Sequence, residues 1–313
     1  MKHILLDTDP GVDDALAFLL AFNSPEIKVE AVTTVVGNVS LVKAHRNALK
    51  LMEFLGISDV PVARGAGRPL LREPRHAEEV HGETGLGGAV LPEPKLKSYG
   101  KSAVDLILEK VHELGKRLTL VAIGPLTNIA QAIMVEPDLI SEVSRLVIMG
   151  GAFNVTKYGH GNVTPVAEFN IWHDPLAAKI VFDSGIPLTA VGLDVTTDPI
   201  NRLSKDAFYE LTRPQTRKAR LVSDLCSGMV EKYDGFSLHD PMAVAVSIDP
   251  SLAKTEKHNV SVETQSELTI GQTVIDRRGT THRGGEGRPI ADICVYVESE
   301  RFLKLFSERA IGG

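Results

Sequence analysis

The stretch from His3 to Asp14, H-I-L-L-D-T-D-P-G-V-D-D, constrains the fold of this chain more than any other. Ile4, Leu5 and Leu6 form a short apolar run of the kind expected of a buried strand. Pro10 and Gly11 stop that strand and turn the chain. From Asp13 onward the pattern is helical, with Ala15, Leu16, Leu19 and Leu20 on one apolar stripe. A strand, a tight turn and a helix N-terminus therefore gather Asp7, Asp9, Asp13 and Asp14. Carboxylates crowded in this way repel one another unless some take up protons or a cation sits among them. The positive end of a helix dipole accounts for Asp13 and Asp14 but not for Asp9 across the turn. A site for a hard cation accounts for all of them.

Strand-like and helical segments alternate beyond this opening. Strands are expected over residues 28–36, 61–63, 118–123, 145–149 and 187–193, and helices from Ser40 to about Leu55, over 102–114, from Thr127 or Asn128, and over 174–182. Two further helices are expected near 204–212 and 215–232, one opened by His239-Asp240-Pro241, and a last one from Arg301. Late strands at 258–264, 268–276 and 291–297 are separated by Gly-containing turns. The fold expected is α/β: a mainly parallel, Rossmann-like central sheet with helices on both faces and a small antiparallel extension. No repeat or linker divides the chain, so residues 1–313 are read as one domain. In such sheets ligands bind beyond the carboxyl ends of the strands. Here those ends carry Asp9, Asn38, Ile123-Gly124, Met149-Gly150 and Asp194.

Composition narrows the partners. Hydrophobic residues make up 43% of the chain and charged ones 24%, enough apolar matter for a large core. The formal charge of −6 argues against nucleic acid and anionic membranes, and no apolar run reaches transmembrane length. With Cys226 and Cys294 as the only cysteines, no disulfide framework is available, which fits a reducing compartment. The first strand begins at once, leaving no room for a signal peptide, so a cytoplasmic location is expected.

The acids near the first turn offer hard oxygen ligands, suited to Ca²⁺ or Mg²⁺ rather than zinc. No H-x-x-x-H or C-x-x-C pair is present. Asp240, standing alone, reads as a helix cap; His239 beside it makes a plausible proton donor. On an extended segment Glu168 and Asn170 share a face and suit the hydroxyls of a sugar. Asn38 and Asn162 are ordinary turn residues unless they converge on a pocket.

These segments together resemble the nucleoside hydrolases, the inosine–uridine-preferring family. D-T-D-P-G-V-D-D at 7–14 looks like that family's opening motif. T-T-V-V-G-N at 33–38, H-G-E-T-G at 81–85, G-P-L-T-N at 124–128, M-G-G at 149–151, A-E-F-N-I at 167–171 and H-D-P at 239–241 follow in order. The resemblance spans essentially the whole chain. It implies Ca²⁺ held by the side chains of Asp9, Asp14 and Asp240 and by the Ile123 carbonyl, with Asp13 as general base on water. Asn38, Asn162, Glu168 and Asn170 would grip the ribose and Met149 would line the pocket. His81 and His239 would lie near the base, with His239 assisting its departure and His81, on a Gly-rich loop, contributing binding and closure. Ribonucleosides would be the substrates and the protein a homo-oligomer, tetramer or dimer.

The segment 213–238 is short compared with relatives, and Tyr233 and Phe236 are its candidates for stacking on a base. The purine-specific branch is a poorer match, because it relies on tryptophan stacking and the sole Trp172 belongs to the sugar-binding segment. Pyrimidine preference or little preference is therefore expected. Two rivals remain open. A haloacid-dehalogenase-like phosphatase shares the strand and D-x-D, but wants Thr or Val where Gly11 stands. A non-catalytic nucleoside or ribose binder would keep the metal but has no use for Asp13.

Overall fold

Ile4, Leu5 and Leu6 are all fully buried, which a strand achieves only when both faces of its sheet are covered. In the computed structural model, which describes residues 1–214, 216–277 and 289–311, they lie in β1 (Lys2–Thr8), inside an eight-stranded sheet. After α1 (Val12–Phe22) come β2 (Ile27–Thr34), α2 (Leu41–Leu55), β3 (Val62–Arg64), α3 (Glu78–His81) and α4 (Ala103–Leu114). Next are β4 (Leu118–Ala122), α5 (Thr127–Val135), α6 (Leu139–Glu142) and β5 (Arg145–Met149). A long loop leads to α7 (Phe169–His173), α8 (Pro175–Asp183), β6 (Leu188–Val191) and α9 (Leu193–Thr196). Then follow β7 (Leu203–Ser204), α10 (Lys205–Thr212), α11 (Arg217–Tyr233), β8 (Gly235–Phe236) and α12 (His239–Ile248). The chain closes with β9 (Ala253–His258), β10 (Val260–Val262), β11 (Thr273–Ile275), β12 (Ala291–Val297) and α13 (Ser299–Ala310).

The sheet runs β3-β2-β1-β4-β5-β6-β12-β9. β9 is antiparallel to β12, and every other neighbouring pair is parallel. From β1 the chain winds outward to β2 and β3, then restarts at β4 on β1's other side and winds the opposite way. That reversal opens a crevice at the carboxyl ends of β1 and β4, the place where doubly wound sheets bind ligands.

Alternation along β1 and β4 feeds two cores. Ile4, Leu6, Val121 and Ile123 pack with apolar residues of α1, α2, α11, α12 and α13 on one face. Leu5, Leu120 and Ala122 pack with α4, α5 and α8 on the other. Helices therefore cover both faces of a mainly parallel sheet, as the alternation of elements predicts. No helix of the described residues is long and apolar enough to cross a membrane.

The late strands differ from expectation. β10 and β11 form a small antiparallel sheet of their own, while β12 enters the main sheet parallel to β6. The edge strand β9, A-K-T-E-K-H, was not legible because its exposed charges break any apolar alternation. Charge on an edge strand discourages pairing with a further chain, so it is what an edge position selects. Asp194, expected at a strand end facing ligand, sits instead in α9, where its carboxylate accepts the backbone N–H groups of Phe153, Val155 and Thr156. It anchors the loop after β5.

Candidate active site

Asp7, the last acid of β1, is buried and plugged by its surroundings. Thr33 Oγ1 and Asn128 Nδ2 donate to its Oδ1 at 2.6 and 2.8 Å, and burial pushes its carboxyl up to about 7. The remaining acids stand just past the strand. Asp14 is held by four donors: Thr8 Oγ1 at 2.5 Å, the Asp9 amide at 3.2 Å, the Gly11 amide at 2.9 Å and Asn38 Nδ2 at 3.1 Å. Asp9 Oδ2 accepts the Asn38 amide at 2.6 Å, while its Oδ1 is buried without any partner.

Asp240 arrives from the first turn of α12, the helix that packs on α1. Oxygens of Asp13, Asp14 and Asp240 all lie within 4.8 Å of one another, and all three residues are buried. Burial, followed by mutual repulsion, holds the carboxyls of Asp9 and Asp240 well above their ordinary range. The same causes raise Asp14, and burial pushes Asp13 up to about 6. A cation reverses this cost by favouring the charged forms. The donor set fits a hard divalent ion: every available atom is an oxygen, three carboxylates converge, and one oxygen of Asp9 lacks a partner.

Three glycines make room for this packing. A Cβ on Gly37 would lie 2.0 Å from Asp9 Oδ2, and one on Gly124 2.5 Å from Asp9 Oδ1. A Cβ on Gly11 would meet His81 Nδ1 at 2.6 Å and Asn38 Nδ2 at 2.7 Å. The G-N and G-P pairs after β2 and β4 thus serve close approach as well as turning. Gly37→Ala must push Asp9 aside, and an expected 1 Å displacement is worth about 10²-fold in turnover. A kcat within a few-fold of wild type would show that the cradle yields without moving the acid.

The acids floor a cavity of about 580 Å³, ordinary for a small-molecule site. Asn38, His81, Ile123, Met149, Asn162, Glu168, Asn170 and His239 all line it with Asp13 and Asp240. Asp9 and Asp14 lie just behind that surface, fully buried. Glu168 caps α7, accepting the amides of Asn170, Ile171 and Gly151 at 2.8 to 3.1 Å. Asn170 Nδ2 donates to the carbonyls of Ile123 and Met149 at 3.0 and 3.1 Å, tying the ends of β4 and β5 together. Asn162 Oδ1 accepts the Phe169 amide at 2.9 Å.

The two histidines are fixed differently from one another. His81 closes α3, and its Nδ1 accepts the Val12 amide at 3.1 Å, so the neutral ring carries its proton on Nε2. A mobile Gly-rich loop was expected here; instead the residue is buried and anchored to the start of α1. His239 Nδ1 pairs with Thr196 Oγ1 at 2.8 Å. Burial pushes both imidazoles down to about 4, so both are neutral at pH 7. Sequence reasoning missed Thr8, Asn128 and Thr196, whose side chains hold Asp14, Asp7 and His239. It also missed Arg202, Met229 and Ser237, cavity-lining residues that lie in no recognisable motif.

The family described as inosine-uridine preferring nucleoside hydrolase matches residues 4–304. Pyrimidine-specific ribonucleoside hydrolase RihA of Shigella boydii is 41% identical, covering 98% of this chain and 97% of that protein. Uridine nucleosidase 1 of Arabidopsis thaliana is 44% identical over 88% of this chain and 83% of its own. Among solved structures, a plant nucleoside hydrolase, the PpNRh1 enzyme, superposes with a TM-score of 0.91 at 35% identity, covering 100% of this chain and 99% of the other. With the acids, amides and histidines of the motifs gathered at one cavity, the chain belongs to the inosine-uridine preferring nucleoside hydrolases, a family of N-ribosyl hydrolases.

Proposed function

We propose that this enzyme hydrolyses the N-glycosidic bond of pyrimidine ribonucleosides, releasing free base and ribose, with Ca²⁺ as its cofactor. The observation that carries the reading is the convergence of Asp13, Asp14 and Asp240 on the floor of the cavity. Asp9, Asp14 and Asp240, with the Ile123 carbonyl, would hold the ion. When bound, a divalent cation acidifies water and orients hydroxyl oxygens beside it. Pyrimidine preference is supported by relatives named for pyrimidines and uridine.

Of the two carboxylates of the trio that border the cavity, Asp240 is assigned to the ion, and Asp13 takes the proton of the attacking water. The water oxygen bonds to C1′ as the C1′–N bond breaks, its electron pair leaving on the base. Asn38, Asn162, Glu168 and Asn170 supply acceptors and donors for the ribose hydroxyls, and Met149 packs the sugar's apolar face. Glu168 also places negative charge where the ribosyl becomes oxocarbenium-like. His239 and His81, both neutral, each retain one N–H; that of His239 assists the departing base.

A turnover assay with free nucleosides tests the whole reading. Uridine should yield uracil and ribose, and extensive dialysis against a chelator should reduce the rate by at least about 10²-fold, restored by added Ca²⁺. Phosphatase activity without base release would instead favour the haloacid-dehalogenase reading. Nucleoside binding without turnover would leave a binding protein.

A further inference from the structure

A second cavity, of about 540 Å³, lies at the opposite end of the sheet from the acids, where β1, β4 and β5 begin and α12 ends. Along β1, Lys2 at this end is about 20 Å from Thr8 at the other. Four cationic side chains line the cavity, Lys2, Lys116, Arg117 and Arg145, and among the described residues no carboxylate does. In a chain of formal charge −6 that is a marked local excess. Lys2 Nζ donates to the Ser247 and Ile248 carbonyls at 3.3 and 2.9 Å, and Lys116 Nζ to the Val143 carbonyl at 2.9 Å. Arg117 donates to the carbonyls of Leu114 and Glu113, both at 3.3 Å. Carbonyls fix these groups without cancelling their charge. Of the four, Arg145 has a counter-ion, Asp292 at 3.0 Å, and it also donates to Thr189 Oγ1. His3, also lining, is matched by Glu30 at 2.6 Å. Burial holds the Lys2 ammonium below its ordinary range, only partly offset by Asp249, and an anion beside it would remove that cost. The hydroxyls of Thr119, Ser144 and Thr255 line the same cavity and make no hydrogen bond among the described residues.

We propose that this cavity binds a sugar phosphate, its phosphate among Lys2, Lys116, Arg117 and Arg145 and its hydroxyls against Thr119, Ser144 and Thr255. A cleft lined by one sign of charge concentrates the opposite ion. A phosphate monoester carries close to two negative charges at pH 7 and several acceptor oxygens, matching cations that have donors left over. The volume is in the range of small-molecule sites and exceeds what a bare phosphate fills, so the anion has a body attached. No Phe, Tyr or Trp lines the cavity, which leaves a nucleobase nothing to stack on. Uncommitted hydroxyls suit a hydroxylated body instead. The cavity shares no lining residue with the one floored by the acids, so both can be filled at once, whatever reaction the first performs.

Isothermal titration calorimetry of the full chain with ribose 5-phosphate, inorganic phosphate and uridine 5′-monophosphate tests this. Ribose 5-phosphate should bind saturably to wild type and about 10-fold or more weakly to the double variant Lys116→Gln/Arg117→Gln, two charged contacts being lost. The swap Lys116→Arg/Arg117→Lys keeps both charges and should stay within about 3-fold of wild type. Inorganic phosphate, without the hydroxyl contacts, should bind about 3-fold or more weakly than the sugar phosphate. Both residues are exposed and remote from the acids, so uridine turnover by the Gln variant should match wild type. If thermal melting shows that variant unfolded, Lys116→Gln alone decides, with an expected loss of about 3-fold. No saturable binding overturns the proposal, and so does equal affinity in wild type and the Gln variant, which places the ligand elsewhere. Inorganic phosphate binding as tightly as ribose 5-phosphate, or uridine 5′-monophosphate binding about 10-fold tighter, overturns the class of ligand proposed. None of these outcomes depends on whether the chain cleaves nucleosides, which the turnover assay decides separately.

Discussion

Replacing Asp13 with Ala should lower kcat for uridine by about 10²–10⁴-fold, the range expected when a general base is lost. Affinity for ribose should change little, because the proposed cation ligands Asp9, Asp14 and Asp240 remain and Asn38, Glu168 and Asn170 keep their anchors. The two carboxylates at the N-terminus of α1 are therefore separable by experiment. Asp14 is bound by four donors and faces inward, whereas Asp13 borders the cavity, with the neutral ring of His81 placing Nδ1 3.9 Å from it. Steady-state kinetics with a ribose inhibition constant distinguish the outcomes. A near-normal kcat would remove Asp13 from the chemistry, and a lost ribose affinity would make it a cation ligand instead.

His239→Ala should divide substrates by their leaving group. Uridine, whose base departs poorly, should lose about 10²–10⁴-fold in kcat. A nitrophenyl riboside needs no proton to depart and should lose less than about 10-fold. Thr196 Oγ1 pairs with the ring at Nδ1, so the departing base would meet a held imidazole rather than a swinging one. His81→Ala should affect both substrates alike, because its Nδ1 is committed to the Val12 amide and its removal loosens the start of α1. Equal losses on both substrates for His239→Ala would end its acid role. A selective loss for His81→Ala would transfer that role to His81.

The parallel sheet and the acidic turn were legible because they are local. Apolar runs, turn residues and helix starts each fall within a few positions, and strand ends in such a sheet share one edge. What stayed hidden was set by pairings across long stretches of chain. Asn128 reads as a helix starter but reaches Asp7 and the Thr34 carbonyl, 121 and 94 residues away. Thr196 and Arg202 carry no motif and acquire a place only when α9 and β7 fold beside α12 and β8. The charged strand β9 was invisible because an edge selects against the apolar alternation by which strands are recognised. His81 misled for a different reason: glycines around it predict a mobile loop, whereas one backbone amide from α1 holds its ring.

Asp14 gathers its four hydrogen bonds from the strand end, the turn and the loop after β2, and it also completes the capping box of α1. The carboxylate that closes the helix is thus the one proposed as a ligand of the ion. Building the first βα unit and placing this carboxylate are a single event. A chain that has folded correctly has already oriented this ligand, and ion binding need not reorganise it. A replacement that removes the Asp14 carboxylate therefore costs the helix its cap as well as the proposed ligand.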